Sequence, residues 1–188
     1  MTLSYLLSIK SESQFRDTCS KYLTHIGSGY SRDVYRLNSR QVIKVAKHDL
    51  GYTQNASECD TYNTYGGLGV LNEITNNAKC YLWVIQPLVT PLTKDDAEFR
   101  QIVELVNHIE KSMEYRTDND FLNKLQLFLK ETEWKYLRDF KKPDSFGRVN
   151  NELRIIDYGM NNEAYKEYFN RYDERRIKSF DRRKATNR

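Results

Sequence analysis

A lysine enclosed by apolar residues is the first chemical feature of this chain. Val42-Ile43-Lys44-Val45-Ala46 sets one cation inside a strand-forming run, where a charge is costly unless an anion meets it. Glu58, on the helix-patterned segment that follows, is the carboxylate available to it. A lysine held in that way directs its remaining donors at phosphate oxygens. Taken without their surroundings, the two are better read as an edge-strand lysine reaching water beside an exposed glutamate. Upstream, Gly27-Ser28-Gly29-Tyr30-Ser31-Arg32-Asp33-Val34-Tyr35 puts two glycines between two strand-forming runs. Glycine there lets backbone amides approach a phosphate without a blocking side chain, although a plain hairpin corner is the commoner meaning of such a loop alone.

Two carboxylates follow far downstream. Leu153-Arg154-Ile155-Ile156-Asp157-Tyr158-Gly159 delivers Asp157 at the end of an apolar strand, with Gly159 permitting a sharp turn. A carboxylate so placed can bind a divalent cation through oxygen. Asp139 stands in Leu137-Arg138-Asp139-Phe140-Lys141-Lys142-Pro143-Asp144-Ser145, at the end of a long helical pattern.

Positioning these residues requires an antiparallel meander. Residues 22–26, 33–37 and 41–46 read as short strands, the first two joined through 27–31 and the last two by a turn at Asn38-Ser39. Before them, residues 11–24 open on Ser11 and Ser13 and carry Phe15, Cys19, Tyr22 and Leu23 at helical spacing. Residues 51–65 form a polar helix with Ala56, Cys59 and Tyr62 on one side, closed by Gly66-Gly67. Two strands, 70–74 and 80–87, are expected around a hairpin at Asn76-Asn77. Phe99, Ile102, Val103, Val106 and Ile109 predict a long helix from Thr93, with Asp95 and Asp96 near its positive end. A second helix is expected over 118–137, a loop over 140–149, a short buried strand over 153–156, and a basic helix or tail from Asn161.

With 188 residues the chain can bury one domain, or two small lobes sharing a cleft. Its 39% apolar and 30% charged content suits a globular protein, and no apolar run approaches the roughly 20 residues that span a bilayer. The apolar patch at 3–9 has neither a basic leader nor a cleavage site, so a cytoplasmic location away from membranes is expected. Cys19, Cys59 and Cys80 suggest neither a disulfide framework nor a zinc cluster, and His25, His48 and His108 lack ligand spacing. The net charge of +4 is concentrated in 175–188, where Arg175, Arg176, Lys178, Arg182, Arg183, Lys184 and Arg188 face the single acid Asp181. That tail is a solvated basic terminus or a contact for an acidic partner or nucleic acid.

In their order, the glycine loop, the V-I-K lysine, the helix glutamate, the R-D loop and D-Y-G resemble the protein kinase signature set over residues 27–159. The resemblance implies an α+β, protein-kinase-like fold. Residues 1–88 would form an N-terminal lobe, an antiparallel five-stranded sheet with one helix; residues 89–188 would form a reduced, mainly helical C-terminal lobe with the basic tail. It implies ATP and Mg²⁺ as cofactors. Gly27, Ser28, Gly29 and Arg32 would line the phosphates, Val34 would cover adenine, Lys44 would orient phosphate with Glu58 as its partner, and Gln86 and Leu88 would flank the base. Asp139 matches the catalytic-loop aspartate and Asp157 the metal-binding aspartate. Asp144 matches the metal-binding asparagine, with Ser145 as the alternative register. More narrowly, the chain is similar to compact kinase-like proteins of bacteria and their phages, which implies a cytoplasmic setting, that of the host if phage-encoded.

The departures matter as much. Arg32 stands where a third loop glycine would be, Leu137 replaces the histidine of H-R-D, and no A-P-E motif follows Gly159. Helices that hold a peptide substrate are not expected in the short remainder. Two readings stay open: an ATP- and Mg²⁺-dependent phosphotransferase acting on a protein, and a pseudokinase or interaction module, for example a phage protein binding a host factor. A small-molecule kinase of the aminoglycoside or choline type is disfavoured, since it needs a larger C-terminal lobe.

Overall fold

The computed structural model describes residues 2–111 and 115–159. The chain opens with two helices, α1 (Leu3–Ser8) and α2 (Glu12–Tyr22), each capped by the hydroxyl before it: Thr2 accepts from Tyr5 N and Ser11 from Gln14 N. Such a cap satisfies an amide that the first helical turn leaves unpaired. Three strands follow, β1 (Thr24–Ser28), β2 (Arg32–Arg36) and β3 (Gln41–Ala46), then the long helix α3 (Asp49–Tyr65). The strands β4 (Asn76–Asn77) and β5 (Trp83–Pro87) complete an antiparallel sheet of five in the order β1-β2-β3-β5-β4.

Alternation along β3 gives this sheet two different faces. Ile43 and Val45, with Tyr35, Trp83 and Ile85, join Leu6, Phe15 and Cys19 of the first two helices in one apolar core. Lys44 lies opposite Val34 on one neighbour and Val84 on the other, Ala46 opposite Arg32, and Val42 opposite Gln86. Opposed residues share a face, so Arg32, Val34, Lys44 and Gln86 all project to the side away from α1 and α2. α3 covers that side.

The second half begins with β6 (Thr90–Pro91), α4 (Ala97–Glu110) and α5 (Asp120–Glu131), and ends in a hairpin of β7 (Phe146–Val149) and β8 (Glu152–Ile155). The last two strands and β6 form a three-stranded sheet in the order β6-β7-β8. Its core gathers Ile102, Leu105, Leu125, Phe128, Phe140 and Phe146, and reaches back to Val70 and Leu71. None of the described helices is long and apolar enough to cross a membrane.

Several local expectations change. The stretch 70–74 is not a strand; it enters the second core, where Ile155 N donates to Val70 O and Asn72 N to Ile155 O. Asn76-Asn77 is itself strand β4, and the reversal lies between it and β5, with Tyr81 in the left-handed region at φ 58°. The segment 140–149 holds two 3-10 turns and all of β7, joined to β8 through Asn150 and Asn151 at φ 51° and 67°. Asparagine tolerates that conformation and favours such two-residue turns. The first strand begins at Thr24 and α4 begins at Ala97, the Asp96 carboxylate accepting instead from Thr93 N and Oγ1. α5 stops at Glu131, and Glu133 and Trp134 at φ 51° and 64° turn the chain out of the helix. The expected segment from Asn161, including the basic run 175–188, lies outside the described residues.

Candidate active site

Glu58 is fully buried on α3, and the charged groups of the site are arranged around its carboxylate. Lys44 Nζ donates to its Oε1 at 2.8 Å and to the carbonyl of Ile156 at 2.6 Å. Arg32, only 6% exposed, meets the same carboxylate with both guanidinium arms: Nη1 lies 3.0 Å from Oε2 and Nη2 3.1 Å from Oε1. Nη2 also donates to Asp157 Oδ1 at 3.0 Å, and Nη1 to Asn55 Oδ1 at 3.0 Å. A planar fork suits such paired contacts, where a lysine would make one.

The remaining polar groups hold this arrangement. Gln54 Nε2 donates to Asp157 Oδ1 at 3.2 Å and its Oε1 accepts from the Ser31 hydroxyl. Gln86 Nε2 faces Glu58 Oε2 at 3.5 Å and the Tyr158 hydroxyl at 3.4 Å, while Tyr158 itself donates to Asn72 O at 2.6 Å. Gly159 is obligatory for a steric reason: a Cβ there would lie 2.5 Å from Gln54 O and 2.7 Å from Gln54 Cγ. D-Y-G can therefore approach α3 closely only with glycine at its end.

Charge follows the geometry. For Asp157, burial opposes ionisation, but Arg32, Lys44 and Lys142 together with the Gln54 amide outweigh it and hold the carboxyl below its ordinary range. Half of its side-chain surface remains open. Burial pushes the Lys44 ammonium down, aided by Arg32 and resisted by Glu58 and Asp157. Arg32 is buried too, yet Glu58 and Asp157 raise it further. Two cations and two carboxylates thus neutralise one another.

The glycine loop closes tightly. Gly29 N donates to Arg32 O at 2.9 Å, so Tyr30 and Ser31 alone form the tip. Ser31 O accepts from Lys47 N at 2.9 Å, and Lys47 Nζ binds Ser28 Oγ and Gly29 O at 2.6 and 2.8 Å. Gly27 pairs with Val34 within the ladder. Leu88 gives its amide to Arg40 O at 2.7 Å.

Asp139 sits at a 3-10 turn, its carboxylate 2.8 Å from Lys142 Nζ. The Lys142 ammonium is raised by that bond and by the charges of Asp139, Asp144 and Asp157, against a smaller cost of burial. The three carboxylates therefore lie within electrostatic reach of one ammonium. Ser145 is buried and its hydroxyl donates to Asp139 O at 2.8 Å, whereas Asp144 is exposed. Of the two registers, Asp144 is the one with a carboxylate free of that structural bond.

The structure brings Lys44, Glu58 and Asp157, expected from the sequence, to one place, and adds the inward turn of Arg32 and the amides of Gln54 and Asn55, which were not expected. The signal for the amides was present: they precede Glu58 by four and three residues, the spacing of one helix face.

A five-stranded antiparallel sheet, a strand lysine paired with a helix glutamate, and an aspartate joined to that glutamate through Arg32 form the α+β arrangement that the protein kinase resemblance implies. No protein-family model matches the chain, and no curated protein does. Among solved structures it is similar to the streptomycin–ATP–APH(2'')-IIa ternary complex, at 14% identity over 81% of this chain and 71% of that one, with a TM-score of 0.40. It is similar also to the GDP complex of wild-type aminoglycoside 2'-phosphotransferase-IIIa, at 17% identity over 84% and 72%, TM-score 0.42. A third is SAICAR-synthase from Saccharomyces cerevisiae complexed with SAICAR, at 10% identity over 72% and 73%, TM-score 0.39.

The residues fit the two expected cofactors unequally. Toward a nucleotide, Lys44 retains one of its three protons, and the buried Gln86 Oε1 has no partner among the described residues. A buried acceptor left unpaired is costly. Toward Mg²⁺ the fit is poorer, because Asp157 Oδ1 already accepts from Arg32 and Gln54 and only the open half of that side chain is left for a metal.

Proposed function

We propose that this chain is a kinase-like nucleotide-binding protein whose cleft works by binding, as a pseudokinase or interaction module, and not by phosphoryl transfer. The observation that carries this is the Arg32 guanidinium held between Glu58 and Asp157. Lys44 supports the phosphate side of the reading and Gln86 the base side. Gly27, Ser28, Val34 and Leu88 would border the nucleotide. The output would be recognition of a protein partner, with the run 175–188 offering charge to an acidic surface. A cytoplasmic setting, that of a host cell if phage-encoded, belongs to the same proposal.

The test combines binding and transfer. ATP should raise the Tm of the wild-type protein, since a ligand bound only by the folded state stabilises it, and should do so less for Lys44→Ala. Incubation with γ-labelled ATP and mixed lysate proteins should move no label to any of them. The absence of a Tm shift and of binding by calorimetry would sink the nucleotide reading.

A second reading is favoured by the shared field of Asp139, Asp144 and Asp157 at Lys142. In it the protein is a phosphotransferase toward a protein hydroxyl, with Asp139 accepting the proton. Label transfer that disappears in Asp139→Asn would establish this reading over the first.

A further inference from the structure

We propose that Arg32 takes the place of the divalent cation, so that this cleft binds nucleotide phosphates without Mg²⁺. The inference rests on the nucleotide-binding reading above and deepens it. A metal in a phosphate site neutralises phosphate oxygens and ties them to a protein carboxylate. Arg32 already has the second connection: Nη2 is 3.0 Å from Asp157 Oδ1, while Nη1 and Nη2 both contact Glu58.

The guanidinium is fixed, not merely near. Its two arms use their protons on Asn55, on both oxygens of Glu58 and on Asp157. Gln54 holds Asp157 from α3 and is itself held by Ser31, the residue preceding Arg32. Register leaves it no other direction, because Arg32 opposes Ala46 on the face that also carries Lys44.

The charge balance points the same way. With Arg32 and Lys44 against Glu58 and Asp157 the cleft is neutral without any bound ion. A divalent cation added at Asp157 Oδ1 would meet the Arg32 guanidinium that already occupies that oxygen. A nucleotide phosphate would meet the remaining proton of Lys44. The guanidinium therefore supplies at Asp157 Oδ1 the positive charge that a metal would supply there.

The experiment is calorimetric titration of the full chain with ATP, once in Mg²⁺ and once in EDTA, repeated with Arg32→Gly and Arg32→Lys. Wild-type protein should give the same Kd in both within about twofold. Loss of the positive charge that Arg32 holds against Asp157 in Arg32→Gly should weaken binding in EDTA by at least about tenfold, with Mg²⁺ restoring part of it; Arg32→Lys should retain EDTA binding at intermediate strength. Wild-type binding that needs Mg²⁺ overturns the inference and leaves the nucleotide reading standing. No binding in either condition overturns both. Because the wild-type comparison needs no substitution, a variant that fails to fold does not protect the idea.

Discussion

At the scale of single residues, Glu58 is the group on which the others depend. Glu58→Ala would leave the Arg32 and Lys44 charges buried side by side, and breaking a buried ion pair in that way costs about 3–5 kcal/mol. Lys44→Met should cost less, because Arg32 still neutralises Glu58; urea midpoints of the two variants check the order. Asp96 gives a pH prediction. Its carboxyl is brought from 3.8 down to about 2, chiefly by the Thr93 amide, then by the Thr93 hydroxyl and Arg148. The folded value is depressed, so its stabilising contribution is present above the ordinary carboxylate range and is lost as pH falls toward about 2. Asp96→Asn should flatten that part of the acid-unfolding profile. Lys44 and Asp157 were legible because an apolar strand marked each of them. Arg32 was not, since its direction depends on a tip of only two residues, and a tip one residue longer would turn it to the opposite face.

At the scale of elements, close approach decides which glycines matter. A Cβ on Gly51 would lie 2.4 Å from Ser31 O and 2.8 Å from Ala46 Cα, so α3 meets the glycine hairpin and β3 there. Gly51→Ala should destabilise the protein by about 1–3 kcal/mol, as overpacking does. Gly67 has nothing within 4 Å, and Gly67→Ala should be neutral or stabilising by up to about 1 kcal/mol. Thermal unfolding of both variants checks the contrast. The meander and the two long helices could be read from period and turn residues, whereas β7 could not. Its Phe146-Gly147-Arg148-Val149 is too short to show alternation, and it is a strand because β6 and β8 flank it. Asn76-Asn77 misled in the opposite direction, two turn-forming residues being held in a strand by β5.

At the scale of the molecule, α3 joins the two apolar cores. Gln54, Asn55 and Glu58 face the cleft, while Thr61 Oγ1 meets the Tyr136 hydroxyl at 2.9 Å and Tyr65 donates to Glu131 O at 3.2 Å. With one helix bonded on both sides, the cores should unfold together. Trp83 is buried beside the first core and Trp134 borders the second half, so single-tryptophan variants report each separately. Their denaturation midpoints should coincide; separated midpoints would make α3 a loose connector. The contact between Arg32 and Asp157 has a further consequence, because it spans 125 positions of sequence. At ~5–20 residues per second, a ribosome adds Asp157 roughly 6–25 s after Arg32. From the addition of Glu58 until that of Asp157 the growing chain contains both cleft cations and only one of their two carboxylates. The cleft reaches electrical neutrality only when the last strand of the described fold has been synthesised.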